Sequence, residues 1–433
     1  MKVLVVGGGG REHALCWRLA QDPVVTRVLA APGNAGIAGT RDLPGPARCF
    51  PEVGADDIDA IADLVEREDV DLTVVGPEAP LVAGLADRLR KAGRNVFGPN
   101  AAAARIEGSK AFAKEVMARR GVPTARSGVF HDVADAVTFV DELGGSAVVK
   151  ADGLAAGKGV TVAQDRATAV GAIEASLVGG AFGDAGRTIV VEELLDGPEV
   201  SVFAVTDGRG NCALLDAVQD HKRVGDGDTG PNTGGMGAYS PVPALDEATA
   251  TQILDTVIAP VVDELRPYRG VLFAGMMLTA EGPKVLEFNC RFGDPETEVL
   301  LPRMPYSLGT LLHACATGRL AYEASHANFD EGAAVTVVIA SEGYPGPFER
   351  GRPILGLEEA RMIDGVTVFH AGTTRDAAGE LVTAGGRVFA VTGRGSTLSE
   401  ARERAYHAVS RIRFEGMVFR TDIAAHASAE AYA

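Results

Sequence analysis

The first hundred residues alternate between short apolar runs and helical stretches, and this alternation restricts the fold more than any other feature. The apolar runs cover residues 2–6, 27–30, 72–75 and 95–97, and helical patterns cover 11–20, 58–67 and 80–92. Apolar runs this short, separated by helices, specify a parallel sheet with covering helices. Each run ends in a turn-rich break, at residues 7–10, 31–36, 76–80 and 98–100. In an open α/β sheet such breaks collect along one edge, and ligands bind there. The first part of the chain is therefore expected to carry a ligand edge.

At 433 residues the chain is long enough for about three domains. Its 41 Lys and Arg against 58 Asp and Glu leave a net charge of −17. That field repels polyanions and excludes nucleic acid as the main partner. Any phosphate group must then be met by locally placed amides and cations. With 46% apolar and 23% charged residues, the composition excludes intrinsic disorder. No run of roughly 18 apolar residues is present, so no membrane span is expected. The apolar start is too short for a signal-peptide core. Cys16, Cys49, Cys212, Cys290 and Cys315 are odd in number, widely spaced and form no Cys-x-x-Cys pair. They read as buried thiols of a cytoplasmic protein, neither a disulfide framework nor a zinc site.

Farther along, residues 148–150, 188–192, 199–206 and 213–218 read as strands of an antiparallel or mixed sheet. A helix is expected at 247–266, a hairpin from 271–279 and 284–288, and a helix at 306–317. Strands follow at 333–341, 366–371 and 387–392. A long last helix starts at a capping box from Thr397 to Glu400, and the Ala-rich tail after it is expected to fray.

Gly7, Gly8, Gly9 and Gly10 between strand and helix invite a dinucleotide reading, which fails twice. The third glycine slot holds Glu12 or His13, and the second strand runs into Ala30-Ala31-Pro32 without an acid. A phosphate held by loop amides at the helix N-terminus, with Arg11 adding a cation, fits better. A tight turn that simply needs small residues is the competing reading. His13 and Trp17 are expected to pack the helix, not to do chemistry.

The segment from Val148 to Val160 carries more information: an apolar strand ends in Lys150, and a glycine loop follows with Lys158. It is no Walker loop, because Gly153 to Gly157 is one residue short and Gly159 replaces the metal-binding Ser or Thr. Two lysines flanking a glycine loop suit a flap over triphosphate, the amides meeting oxygens and the ammonium groups offsetting charge. Next, a strand ends in Glu192 and Glu193, with Glu199 beyond a short loop. Backbone leaving a sheet can read an adenine edge, and an ionised carboxylate can accept from both ribose hydroxyls. In the run from Val285 to Glu296, Glu287 and Asn289 share a strand face. A carboxylate and an amide oxygen are hard ligands suited to magnesium. Arg291 falls on the same side and can grip a carboxylate or phosphoryl group. His221, in Gln219-Asp220-His221-Lys222-Arg223, is expected to orient a neighbour or lie exposed, since no second His has ligand spacing.

Six segments together resemble the phosphoribosylamine–glycine ligases (glycinamide ribonucleotide synthetases) of the ATP-grasp superfamily. They are Gly-Gly-Gly-Gly-Arg-Glu-His-Ala-Leu from residue 7, Gly-Pro-Glu-Ala-Pro-Leu from 76, and the Lys150 loop. The others are Gln-Asp-His-Lys-Arg from 219, Thr-Gly-Gly-Met-Gly-Ala-Tyr-Ser-Pro from 233 and Glu-Phe-Asn-Cys-Arg-Phe-Gly-Asp-Pro-Glu from 287. The likeness runs from residue 1 to about residue 423. It implies a multidomain α/β and α+β fold. A Rossmann-like domain would span 1–103 and an ATP-grasp domain 104–330, with a mobile lid at about 125–193. A small mixed domain would fill 331–433, in a single-function enzyme without further catalytic domains. The implied reaction joins glycine to 5-phosphoribosylamine with ATP, giving glycinamide ribonucleotide, ADP and phosphate in purine synthesis. The chain is expected to be a cytoplasmic monomer without nucleic-acid or membrane partners.

The resemblance also implies roles. Lys110, Lys150 and Lys158 would face the phosphates, Glu192, Glu193, Leu194 and Leu195 would read adenine, and Glu199 would take the ribose. Arg223 and Asn232 would contact nucleotide, while Glu287 and Asn289 would bind magnesium or manganese. Gly8, Gly9, Gly10, Arg11, Gly76, Pro77, Glu78, Asp216, Arg291 and Asp294 would handle glycine and the ribose phosphate. The catalytic candidates are Arg291, Lys158 and Asp294. One departure is visible: many relatives supply a metal-binding acid from the preceding strand, and residues 271–279 contain none. Two other readings stand beside this one. One is another ATP-grasp carboxylate–amine ligase or ATP-dependent carboxylase, and the other a regulator that binds ATP without releasing phosphate.

Overall fold

The first apolar run forms the strand Lys2–Gly7 and becomes the centre of a five-stranded parallel sheet. Its order is Ala47–Cys49, Arg27–Pro32, Lys2–Gly7, Leu72–Val75 and Val96–Phe97. Val3 to Val6 are fully buried, since helices cover both faces. The computed structural model describes residues 1–38, 47–154, 159–320 and 329–430. The helix expected at 80–92 is two helices, Glu78–Val82 and Leu85–Lys91. Gly84 between them takes φ 94°, a left-handed value that ends one helix and starts the next.

A separate antiparallel sheet runs in the order Ser127–Phe130, Ile189–Glu192, Ala147–Ala151, Val160–Ala163. The helices Val133–Glu142 and Arg166–Leu177 cover it with their own small core around Val140, Val149 and Ile173. A second antiparallel sheet pairs Glu199–Asp207 with Arg269–Thr279, and that strand with Gly282–Asn289. The strand expected at 213–218 stops at Leu214; Val218 forms only a single bridge, to Ser201.

The last sheet crosses the limit expected between the second and third domains. Gln219–Asp220 and Gly237–Ser240 join Ala333–Ser341, Arg387–Gly395 and Val366–His370 in one sheet. Strands before residue 241 are thus stitched to strands after residue 332, and a cut at 330 falls across this sheet. In the last long helix, Leu398–Val409, Thr397 Oγ1 accepts from the Glu400 N–H. The returning Glu400 carboxylate takes the Ser396 N–H, one residue before the expected partner. The tail is helical over Ala425–Glu430 and buries Ala427, because it packs on that helix. No helix among the described residues is long and apolar enough to cross a membrane.

Candidate active site

The strand Gly282–Asn289 ends with Glu287 and Asn289 on one face. The residue paired opposite Glu287 is Gly275, so the neighbouring strand sets no acid beside it there. Glu287 is 37% exposed, yet enough protein surrounds it that burial pushes its carboxyl up. Lys222, and after it Lys150, Lys110 and Arg291, overcome that and hold it below the usual carboxylate range. The Lys222 ammonium lies 4.0 Å from Glu287 and also pairs with Glu199. Four cations from four separate segments therefore converge on this one acid. In a chain of net charge −17, such a focus has the sign needed for polyphosphate.

Lys150 comes from the end of Ala147–Ala151 and is buried. It lies 2.9 Å from Glu192 and donates to the Leu286 carbonyl at 2.8 Å, tying the small sheet to the Glu287 strand. Glu192 is also 3.1 Å from Lys114, so its side chain is a buried bridge between two lysines. Glu193 bonds with its backbone N–H and its carboxylate to Arg126. Leu194 and Leu195 keep their backbone groups free of hydrogen bonds among the described residues, as an adenine edge requires. Lys110 starts the helix Lys110–Arg120 and donates to the Gly153 carbonyl at 3.2 Å. The Asp152 carboxylate accepts from the Ala111 N–H and from Ser109, anchoring the start of the glycine loop at that helix N-terminus. Lys158 lies outside the described residues.

Residues 290–296 carry the site across to the N-terminal sheet. The Arg291 guanidinium is 2.9 Å from Glu107, 3.5 Å from Glu78, and bonds Asn289 Oδ1 at 3.0 Å. Glu78, at the start of its helix, is held below its ordinary value: burial raises it, but Arg291 and Arg11 prevail. The glycine loop is filled by protein. Glu12 Oε2 accepts from the Gly9 N–H at 2.6 Å, a Cβ at Gly76 would strike Glu12, and a Cβ at Gly8 would strike the Gly33 carbonyl. The tight-packing reading of these glycines therefore has a physical basis. Arg11, expected to add a cation there, is buried and bonds Glu12 at 2.6 Å and the Phe292 carbonyl at 2.9 Å. Its backbone N–H points at Asp294 Oδ2, 3.5 Å away. Pro77 precedes the Glu78 helix as its cap residue.

Three expected residues are engaged elsewhere. Asp216 is paired with Arg303, which also bonds Ser240 and the Asp330 carbonyl. Arg223 and Asn232 face each other across a two-stranded ribbon, where the Arg223 side chain donates to the Gly230 carbonyl. His13 and Trp17 do pack, edge-on against Phe369 at 5.8 and 5.6 Å. His221 is half-buried, not exposed: burial, seconded by Arg420, lowers it to about 4, its Nε2 accepts from the Ala424 N–H at 3.4 Å, and its ring lies 6.1 Å from Tyr239.

The structure adds groups that sequence reasoning passed over. Lys222 and Asp220 belong to the same Gln219–Arg223 motif as His221 and Arg223, the two residues its pattern singles out. Arg387 approaches from the C-terminal sheet, donating to the Gly234 and Asp294 carbonyls and lying 3.3 Å from Asp294 Oδ1. Glu107, Lys114 and Glu298 lie on helices outside the quoted motifs, and Glu296 closes the motif that starts at Glu287. Two hard oxygen ligands, Glu287 and Asn289, fit one divalent ion shared with phosphate oxygens. Among the described residues no group of three His, Cys, Asp or Glu forms a closed metal site.

A cation focus beside an open backbone edge suits phosphoryl transfer from ATP to an acid, the work of an ATP-grasp ligase. Comparison with known proteins gives the same class. Residues 1–107 match the N domain of phosphoribosylglycinamide synthetase, 108–297 its ATP-grasp (A) domain and 334–426 its C domain. A phosphoribosylamine–glycine ligase of Streptomyces coelicolor is 52% identical over 99% of this chain and 100% of its own length. One from Escherichia coli O157:H7 is 48% identical over 98% of both. The crystal structure of the Thermotoga maritima phosphoribosylamine–glycine ligase superposes with a TM-score of 0.82 at 34% identity, covering 98% and 100% of the two chains. A biotin carboxylase domain from Hydrogenobacter thermophilus, solved with MgADP and bicarbonate, shares the fold at TM-score 0.73 and 19% identity, covering 96% and 91%. The chain belongs to the phosphoribosylamine–glycine ligase family.

Proposed function

We propose that this protein joins glycine to 5-phosphoribosylamine through glycyl phosphate. The products are N1-(5-phosphoribosyl)glycinamide, ADP and phosphate, in an early step of purine synthesis. One observation carries the reading. The cation focus on Glu287 and the Asp294 carboxylate at the glycine loop are joined by a single continuous segment, residues 287–294. The nucleotide end and the proposed amine end of one reaction therefore lie on one short stretch of chain.

A carboxylate resists amines because its leaving group would be oxide. When a glycine carboxylate oxygen attacks the γ-phosphorus of ATP, ADP leaves and the acyl phosphate forms. The amine then attacks the carbonyl carbon, and phosphate departs with the original carboxylate oxygen. Lys110, Lys150 and Lys222 would neutralise the phosphates, and Arg291 would hold the acid, so positioning and charge do most of the catalysis. Asp294, kept ionised because Arg387 and Arg11 outweigh its burial, would take the amine proton. Glu287 and Asn289 would hold magnesium or manganese, which when bound supplies further positive charge to the phosphates. Leu194 and Leu195 would read adenine, Glu199 the ribose, and Lys158 would close over the phosphates. The expected domain limits, a monomeric state and a cytoplasmic setting belong to the same reading; all five cysteines are free thiols, as a reducing compartment would keep them. The test uses glycine labelled with oxygen-18 in its carboxylate. One label per turnover appears in inorganic phosphate if glycyl phosphate forms, and unlabelled phosphate overturns the route.

A further inference from the structure

Glu298 is an acid for which the reaction above has no use. It is fully buried in the first turn of Thr297–Arg303, and neither carboxyl oxygen meets an N–H or O–H donor. Two distant elements meet it. Gly10, at the start of the N-terminal helix Gly10–Ala20, lies so close that a Cβ there would strike Glu298 Oε1. Thr392, from the C-terminal strand Arg387–Gly395, donates to the Glu298 carbonyl at 3.0 Å. Ala371 flanks Gly10 as well: the same Cβ built on Gly10 would lie 3.8 Å from its methyl. The ionisable groups facing it are few. Asp294 adjoins it, Arg387 lies beyond at 3.3 Å from Asp294, and Arg11 turns only its backbone N–H this way, its guanidinium being bound to Glu12 and Phe292.

An ionised Glu298 is untenable in this place. Two charges would share a dry site, and four carboxylate lone pairs would go without a donor. One proton removes both faults, because it neutralises Glu298 and supplies the missing donor to Asp294. We propose that Glu298 is a positioning residue: a permanently neutral acid that donates its proton to Asp294 and fixes that carboxylate against the glycine loop. The arrangement divides two adjacent acids by environment. Burial and the neighbouring Asp294 charge push Glu298 well up, while Arg387, Arg11 and the donated hydrogen bond keep Asp294 below its usual range despite burial.

This inference rests on Asp294 serving the amine substrate, so its test separates the two ideas. The infrared difference spectrum of wild type minus Glu298→Gln at neutral pH should contain a protonated-carboxyl stretch that shifts in heavy water. Absence of that band overturns the neutral acid whatever Asp294 does. Glu298→Gln keeps a neutral donor of the same shape, so kcat/KM for phosphoribosylamine should stay within about threefold of wild type. Glu298→Leu removes the donor; kcat/KM should fall by about tenfold or more, with its acidic limb moved to higher pH and KM for ATP unchanged. Equal damage from Gln and Leu, both folded by circular dichroism, overturns the role. Full activity in Asp294→Asn would instead sink the reading of Asp294, and the proposed role with it, while the infrared band still decides the protonation state.

Discussion

Glu192→Gln tests the link between the small sheet and the site most sharply. The Glu192 carboxylate is buried between Lys114 at 3.1 Å and Lys150 at 2.9 Å. Removing one partner of a buried pair costs about 3–5 kcal/mol, because the other charge remains buried and unmatched. Here two ammonium groups are left, so the upper end applies. The Gln amide oxygen still accepts from one of them and recovers about 1 kcal/mol. The net loss is about 4 kcal/mol, which for a unit of this size lowers its thermal midpoint by about 10 °C. Differential scanning calorimetry of the whole chain measures it. The loss should shrink as pH rises. Burial already outweighs Glu192 and holds Lys114 below the ordinary lysine value, and without Glu192 it falls further. The unfolded chain then binds more protons, and stability climbs with pH until the unfolded lysine titrates. Glu193→Gln is the control: Glu193 is 35% exposed and 3.7 Å from Lys284, a pair worth under about 1 kcal/mol. A midpoint change in Glu192→Gln below about 3 °C, or one insensitive to pH, would refute the reasoning.

Three further outcomes follow from the same geometry. Glu287→Gln should lower turnover by about a hundredfold or more and also lower the thermal midpoint, since Lys222, Lys150, Lys110 and Arg291 lose the carboxylate they hold below its ordinary range. Arg387→Gln should raise KM for phosphoribosylamine by about tenfold and change KM for ATP less, because the ion pair of Arg387 is with Asp294, its hold on the Gly234 carbonyl being a hydrogen bond to backbone. His13 is held neutral to about pH 3 by burial, with Arg361 adding to it, against an ordinary value of 6.5. In acid the unfolded chain protonates first, so its contribution is lost as pH falls from 6.5 towards 3. Urea unfolding should show about 2 kcal/mol less loss between pH 7 and 5 in His13→Asn than in wild type.

The parts of the site that were legible in the sequence are those where local pattern and chemistry coincide. Strand alternation puts Glu287 and Asn289 on one face wherever the strand lies, and an apolar run ending in Lys150 must deliver that lysine to a sheet end. The glycine run before the first helix announced a close approach, though what approaches is Glu12 and the Gly33 backbone as much as any ligand. Groups brought by distant segments were not legible. Arg387 follows two glycines in a strand that reads only as sheet, and nothing local says it will reach a residue 93 positions earlier. Glu107, Lys114 and Glu298 lie on helices whose pattern records which face is buried, and a buried acid looks the same in sequence as a solvated one. The joining of strands 219–220 and 237–240 to the C-terminal sheet is likewise a long-range pairing, set by packing and not by any local preference.

Which acid and which amine trigger ATP cleavage defines this enzyme most directly. ADP release should be followed with MgATP while glycine and phosphoribosylamine, formed in place from ribose 5-phosphate and ammonia, are supplied singly and together. The account predicts ADP only when both are present and none when alanine replaces glycine. ADP formation with glycine alone at the full rate, or with another acid, would assign the site to a different ATP-grasp ligase. Tight ATP binding without any ADP release would contradict the account altogether.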